Sequence, residues 1–162
     1  MRHRVVTALM CSTLALIGAT SLAHSDTLGR YECNIVGVGS PEPIGDRNGH
    51  GLLSYQFSCY GVDGLLKGAI YSAVHVSEWD GPQGTFLLAG GVHRIAGGFA
   101  VTQMTDGTAT VTMKDGKPAG VTGSGKAMFK LGTGSLAALS GKAARFTSKV
   151  TGANRFELEF MD

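Results

Sequence analysis

Two histidines and their neighbours carry the clearest chemistry in this chain: His75-Val-Ser-Glu78-Trp79-Asp80 on one segment and His93-Arg94 on the next. A free imidazole titrates close to neutral pH. A buried His75 or His93 with Glu78 as carboxylate partner could therefore act as a general acid or base. Antiparallel pairing of the two segments would bring His75 and His93 together, with Glu78 or Arg94 beside them. The competing reading makes His75 a hydrogen-bonded packing residue and His93-Arg94 part of a loop. Zinc ligands at His50, His75 and His93 would have to converge from scattered segments without a motif, so neither a metal nor another cofactor is expected. Gly123, Gly125, Gly132 and Gly134 lack the Lys-Ser/Thr ending and following helix of a phosphate loop, which argues against nucleotides.

A small molecule would meet aromatic rings first. Tyr55, Tyr71, Trp79 and Phe86 lie in the first half of the chain's strand region with Arg94 near them, and together they form the expected ligand-binding set. Their alternative role is ordinary packing. Tyr71, His75 and Trp79 share strand parity, so one face of a single strand presents all three.

Strands are what the rest of the chain offers to position these groups. Glycine recurs too often for long helices, and few windows keep a helical apolar period. The reading is all-β, with eight strands: 51–60, 66–79, 84–88, 98–105, 108–114, 125–131, 142–150 and 155–160. Turn signals separate several of them, among them Asp80-Gly81-Pro82, Asp106-Gly107, Asp115-Gly116 and Thr151-Gly152-Ala153-Asn154, and these predict hairpins between sequence neighbours. Eight strands in a meander suit a single small antiparallel β-barrel over 51–162. Residues 24–50, with Pro41, Pro43, Gly45 and Gly49, read as an irregular leader that either covers a barrel mouth or is a surface arm. Alternation buries Ala109, Val111 and Met113 on one strand, Ala127 and Phe129 on another, and Phe156, Leu158 and Phe160 on the last.

Between two of these strands lies Leu131-Gly-Thr-Gly-Ser-Leu-Ala-Ala-Leu-Ser-Gly141, a spacing suited to bends and close backbone contacts at a barrel corner. The pattern Gly132-x-Gly134-x-Leu136, followed by Gly141 and a strand, resembles the allene oxide cyclase and dirigent group of barrels. Gly90-Gly91, Gly97-Gly98-Phe99 and Gly123-Ser-Gly125 with Phe129 repeat the same rhythm. Leu136 stands where that group often has an aromatic residue. The resemblance implies an apolar barrel interior that takes a hydrophobic small molecule and, in some members, guides an isomerisation or cyclisation. It also implies association into dimers or trimers.

The ends and the composition set the compartment. Arg2 and Arg4, the apolar run Val5–Ile17 and Ser21-Leu22-Ala23 form an export signal, with cleavage expected after Ala23. A secreted or periplasmic protein without an integral membrane segment would remain. Cys11 leaves with the signal, and Cys33 and Cys59 are expected to pair as a disulfide in an oxidising compartment. Without Arg2 and Arg4, the 14 basic residues of the whole chain come level with the 12 acidic ones, so charge gives no reason to expect nucleic acid. The basic stretch 114–149 reads as solvated strand faces and edge protection, with an anion-binding patch as the alternative. Two functions stand: a barrel that binds and transforms a hydrophobic small molecule, or a non-catalytic binding or envelope scaffold filled by its own side chains.

Overall fold

A computed structural model describes residues 26–37 and 39–162; the expected export signal at 1–23, with Cys11, lies outside them. Eight antiparallel strands close into a barrel: β1 (Thr27–Val36), β3 (His50–Asp63), β4 (Ile70–Asp80), β5 (Gln83–Ile95), β6 (Gly98–Lys114), β7 (Lys117–Gly132), β8 (Ala143–Gly152) and β9 (Arg155–Met161). A two-residue strand, β2 (Glu42–Pro43), pairs beside the start of β3. Strands β3 to β9 form the expected meander, and β1 inserts between β9 and β3 to close the ring.

Two elements differ from the sequence reading. The leader expected over 24–50 opens with strand β1, which turns Tyr31 and Cys33 inward and Arg30 and Glu32 outward. Asp106-Gly107 is no turn. Both residues pair across to β7, with Lys126 and Gly125, at a register shift that bends an uninterrupted 17-residue strand. Two expected strands thus merge into β6, and β1 supplies the eighth.

Aromatic and small side chains alternate to fill the interior. Tyr31, Phe57, Tyr71, Phe129, Phe146, Phe156, Leu158 and Phe160 are buried, with Ala73, Ala100, Ala127 and Ala144 between them. One end of the barrel is plugged by Leu66, Leu136 and Leu139, each at most 1 % exposed. The last two sit on the short 3-10 helix Gly134–Leu139. Gly132 and Gly134 let that helix tuck in: a Cβ at Gly132 would collide with the Leu136 carbonyl, and one at Gly134 with the Gly97 carbonyl. Gly134 also adopts φ +55°, a conformation that favours glycine.

The opposite end is ringed by the turns at 81–82, 115–116 and 152–154, where Gly81, Asp115, Gly116 and Asn154 take positive φ as hairpin turns require. Met113, expected inside, is 57 % exposed there because β6 runs past the rim.

Local irregularities adjust the wall. A bulge between β4 and β5 leaves Leu87 without a β4 partner, so the inward parity of Ala89 passes to Phe86 while Leu87 and Leu88 face out. Beside it the β5–β6 ladder is interrupted between the pairs Thr85–Thr108 and Gly90–Gln103. The Cys33–Cys59 disulfide forms as expected, between directly paired residues of β1 and β3.

Candidate functional site

From the open end a funnel descends into the barrel. Its mouth, about 220 Å³, is lined by Ile35, Leu53, Trp79, Val150 and Arg155 among others, and Gly39 of the β1–β2 connection borders it. An inner cavity of about 60 Å³ continues to Phe57, Tyr71, Thr102 and Phe160. Tyr55, His75, Phe86, Ser148 and Phe156 line both parts, so the two adjoin along a shared wall. Among the described residues no Asp, Glu, Lys or Arg borders the inner cavity, and Arg155 is the charged side chain at the mouth.

Strand β4 supplies the polar centre. Its alternation buries Tyr71, Ala73, His75, Ser77 and Trp79 on the inner face, as expected from parity. The Trp79 indole Nε1 donates to Ser77 Oγ at 2.9 Å, and Ser77 Oγ lies 2.8 Å from His75 Nε2. Tyr55 stacks on the His75 ring at 4.7 Å, while Phe86 meets it edge-on at 4.6 Å. Burial pushes the His75 pKa down to about 4, so the imidazole is neutral near pH 7 rather than poised at its free value. Tyr55 is pushed up to about 12 and Tyr71 is also raised, both by burial, so both phenols stay protonated.

His93 lies beyond the cavity floor. It is fully buried, stacked parallel on Tyr71 at 3.8 Å, with Nδ1 at 2.7 Å from the Tyr31 hydroxyl and Nε2 on the Thr102 hydroxyl. Burial lowers its pKa to about 3. Both nitrogens are engaged and the ring borders neither part of the funnel, so the geometry makes His93 a structural link between β1, β5 and β6.

The expected grouping around His75 is otherwise not assembled. His75 lies opposite Ala89, and His93 lies four residues further along the ladder, opposite Tyr71. Glu78 belongs to the other face of β4 and binds His50 Nε2 at 2.7 Å. Arg94, next to inward-facing His93, is exposed on the outer wall. Tyr55, Tyr71, Trp79 and Phe86 do meet at the funnel. The sequence reading passed over Ser77, although its parity with His75 and Trp79 was visible, and over Ser148, Arg155 and Phe156 near the last hairpin.

A separate cluster stands at the rim. His50 places Nδ1 2.5 Å from Asp46 and Nε2 2.7 Å from Glu78, and Arg47 bridges Asp46 and Asp80 at 2.9 Å each. Because a carboxylate only accepts, both His50 nitrogens must donate, and the ring is an imidazolium. Its pKa is raised by these bonds, Asp46 first and then Glu78. Its two nitrogens face different carboxylates, and among the described residues no group of three or more His, Cys, Asp or Glu could hold a metal.

No family model, curated protein or solved structure matches the chain. What is established is a small closed β-barrel with a disulfide, and among the described residues no helix is long and apolar enough to cross a membrane.

Proposed function

We propose that this is an exported barrel that binds a hydrophobic small molecule in its interior through the open end. The observation that carries the reading is the funnel itself, aromatic-walled and, among the described residues, without Asp, Glu, Lys or Arg in its inner part, with polar atoms concentrated at a few points. The disulfide supports an oxidising, secreted or periplasmic location. Isomerisation or cyclisation of the bound molecule, as the resemblance to the allene oxide cyclase group implies, would rest mainly on confinement in a reactive shape, with His75 as the nearest imidazole.

The single tryptophan gives the test, since Trp79 borders the mouth. Titration with a small apolar aromatic should change its fluorescence saturably. Ala89→Phe, which fills the inner cavity from β5, should weaken that binding by at least tenfold while the far-UV spectrum stays β-rich. Absence of saturable binding in the unmodified protein overturns the reading.

The scaffold alternative, including self-association, draws on the outer wall, where Ile70, Val74, Leu88 and Leu131 are between 42 and 50 % exposed. A monomer in sedimentation at high concentration would remove the support for self-association.

A further inference from the structure

We propose that the Trp79–Ser77–His75 chain fixes His75 as a hydrogen-bond donor into the funnel, so the site selects neutral apolar molecules carrying an oxygen acceptor, such as a carbonyl or ether. The inference rests on the small-molecule reading above and deepens it.

The argument follows the protons. An indole N–H is only a donor, so Ser77 Oγ must accept from Trp79. Ser77 is fully buried, and besides Trp79 the hydrogen-bond partner of its hydroxyl among the described residues is His75 Nε2. If Nε2 carried a proton, Ser77 Oγ would accept twice and its own proton would be buried without an acceptor. The arrangement that satisfies all three groups has Ser77 O–H donating to an unprotonated Nε2. A neutral imidazole then carries its proton on Nδ1. An imidazolium would strand the Ser77 proton in the same way.

Among the described residues Nδ1 has no hydrogen-bond partner. Yet among the described residues no buried side-chain nitrogen or oxygen lacks one, so Nδ1–H must reach the open space of the funnel. His75 as a whole is only 6 % exposed, which makes Nδ1–H a directed donor in an apolar setting. The stacked Tyr55 ring and the edge of Phe86 hold the imidazole plane. Tyr71, 3 % exposed, likewise has no hydrogen-bond partner for its hydroxyl among the described residues and lines the same inner cavity.

A ligand oxygen with lone pairs satisfies this donor, a pure hydrocarbon leaves it unpaired, and a carboxylate would enter a cavity with no cation to balance it. The same tautomer prevents His75 from accepting a proton at Nδ1, so in any reaction it polarises the ligand oxygen. Ser77 is the positioning residue and Trp79 its anchor.

The experiment has two readouts on the oxidised protein. Long-range ¹H–¹⁵N correlation spectra, with His75 assigned by its loss in His75→Gln, should show a protonated Nδ1 and an unprotonated Nε2. Trp79 fluorescence should report tighter binding of acetophenone than of α-methylstyrene, which has the same shape with methylene in place of the carbonyl oxygen. Benzoate should bind more weakly than acetophenone. In Ser77→Ala the acetophenone preference should fall about fivefold, the worth of one hydrogen bond. A proton on Nε2 of His75, or binding of both probes without preference, overturns the donor assignment and leaves the binding reading standing. Failure of both probes to bind overturns the binding reading and the ligand class with it.

Discussion

Three histidines in this barrel respond to protons in two opposite ways. Burial holds the folded pKa of His75 near about 4 and of His93 near about 3, below the ordinary 6.5, so the unfolded chain binds more protons at these sites as the solution is acidified. Stability therefore rises with pH between about 4 and 6.5 and is lost as pH falls through that window. Each histidine contributes a slope of about 1.4 kcal/mol per pH unit where it is fully active. Urea midpoints between pH 7 and pH 4 should show this loss, and His93→Gln should flatten it. His50 has the other sign, because its folded pKa is raised by Asp46 and Glu78. Its contribution is complete below pH 6.5 and is lost as pH rises through the folded value. His50→Gln should therefore cost less stability at pH 9 than at pH 6. Residue identities made His75 and its aromatic company visible in the sequence, since parity alone aligns Tyr71, His75 and Trp79. Parity could not say which way each nitrogen faces. Glu78 was drawn to His75 by nearness along the chain, whereas an odd separation puts it on the other face of the strand.

Elements in this fold are defined as much by their faults as by their regular parts. Without the bulge at Leu87, simple alternation from Ala89 would turn Leu87 inward and Phe86 outward, and the edge contact on His75 would vanish. Deleting Leu87 should bring the pairs Val76–Leu88 and Ser77–Phe86 into regular succession with Phe86 still inward, so saturable binding at Trp79 should survive, whereas a polar Phe86→Ser should weaken it. Gly132 is a second such point, packed directly beneath the Leu136 carbonyl of the plug. Gly132→Ala should cost about 3 kcal/mol in chemical denaturation, at the upper end of single-substitution effects. The glycine step was legible as a barrel corner because its spacing departs from strand alternation. The bulge was not legible, since Phe86-Leu-Leu-Ala89 is apolar throughout and carries no parity. Asp106-Gly107 misled for a related reason: Asp-Gly is common in tight turns, and only its pairing with Lys126 and Gly125 shows a strand passing through.

For the molecule as a whole, the meander followed from turn spacing, but the count of eight agrees only because the merger into β6 and the unexpected β1 offset each other; β1 was hidden because Thr27–Val36 carries Gly29, Arg30, Glu32 and Asn34 and looks too polar for a central strand. Its inward residues are few but large or cross-linked. The disulfide joins it to β3 across a separation of 26 residues, and reduction should lower the free energy of unfolding by about 3 to 4 kcal/mol on loop entropy. Comparing urea curves with and without reductant measures this directly. The place of β1 also sets the order of assembly. Its two neighbours are β3, close in sequence, and β9, more than a hundred residues away, so the sheet cannot become a cylinder before its last strand is available. Before closure, any sheet built from β3 to β8 has two unpaired edges. Such long-range closure is slow. The Cys33–Cys59 bond holds β1 in register against β3 throughout that wait, leaving a single seam to find, and the oxidised chain should refold faster than the reduced one in stopped-flow dilution from urea.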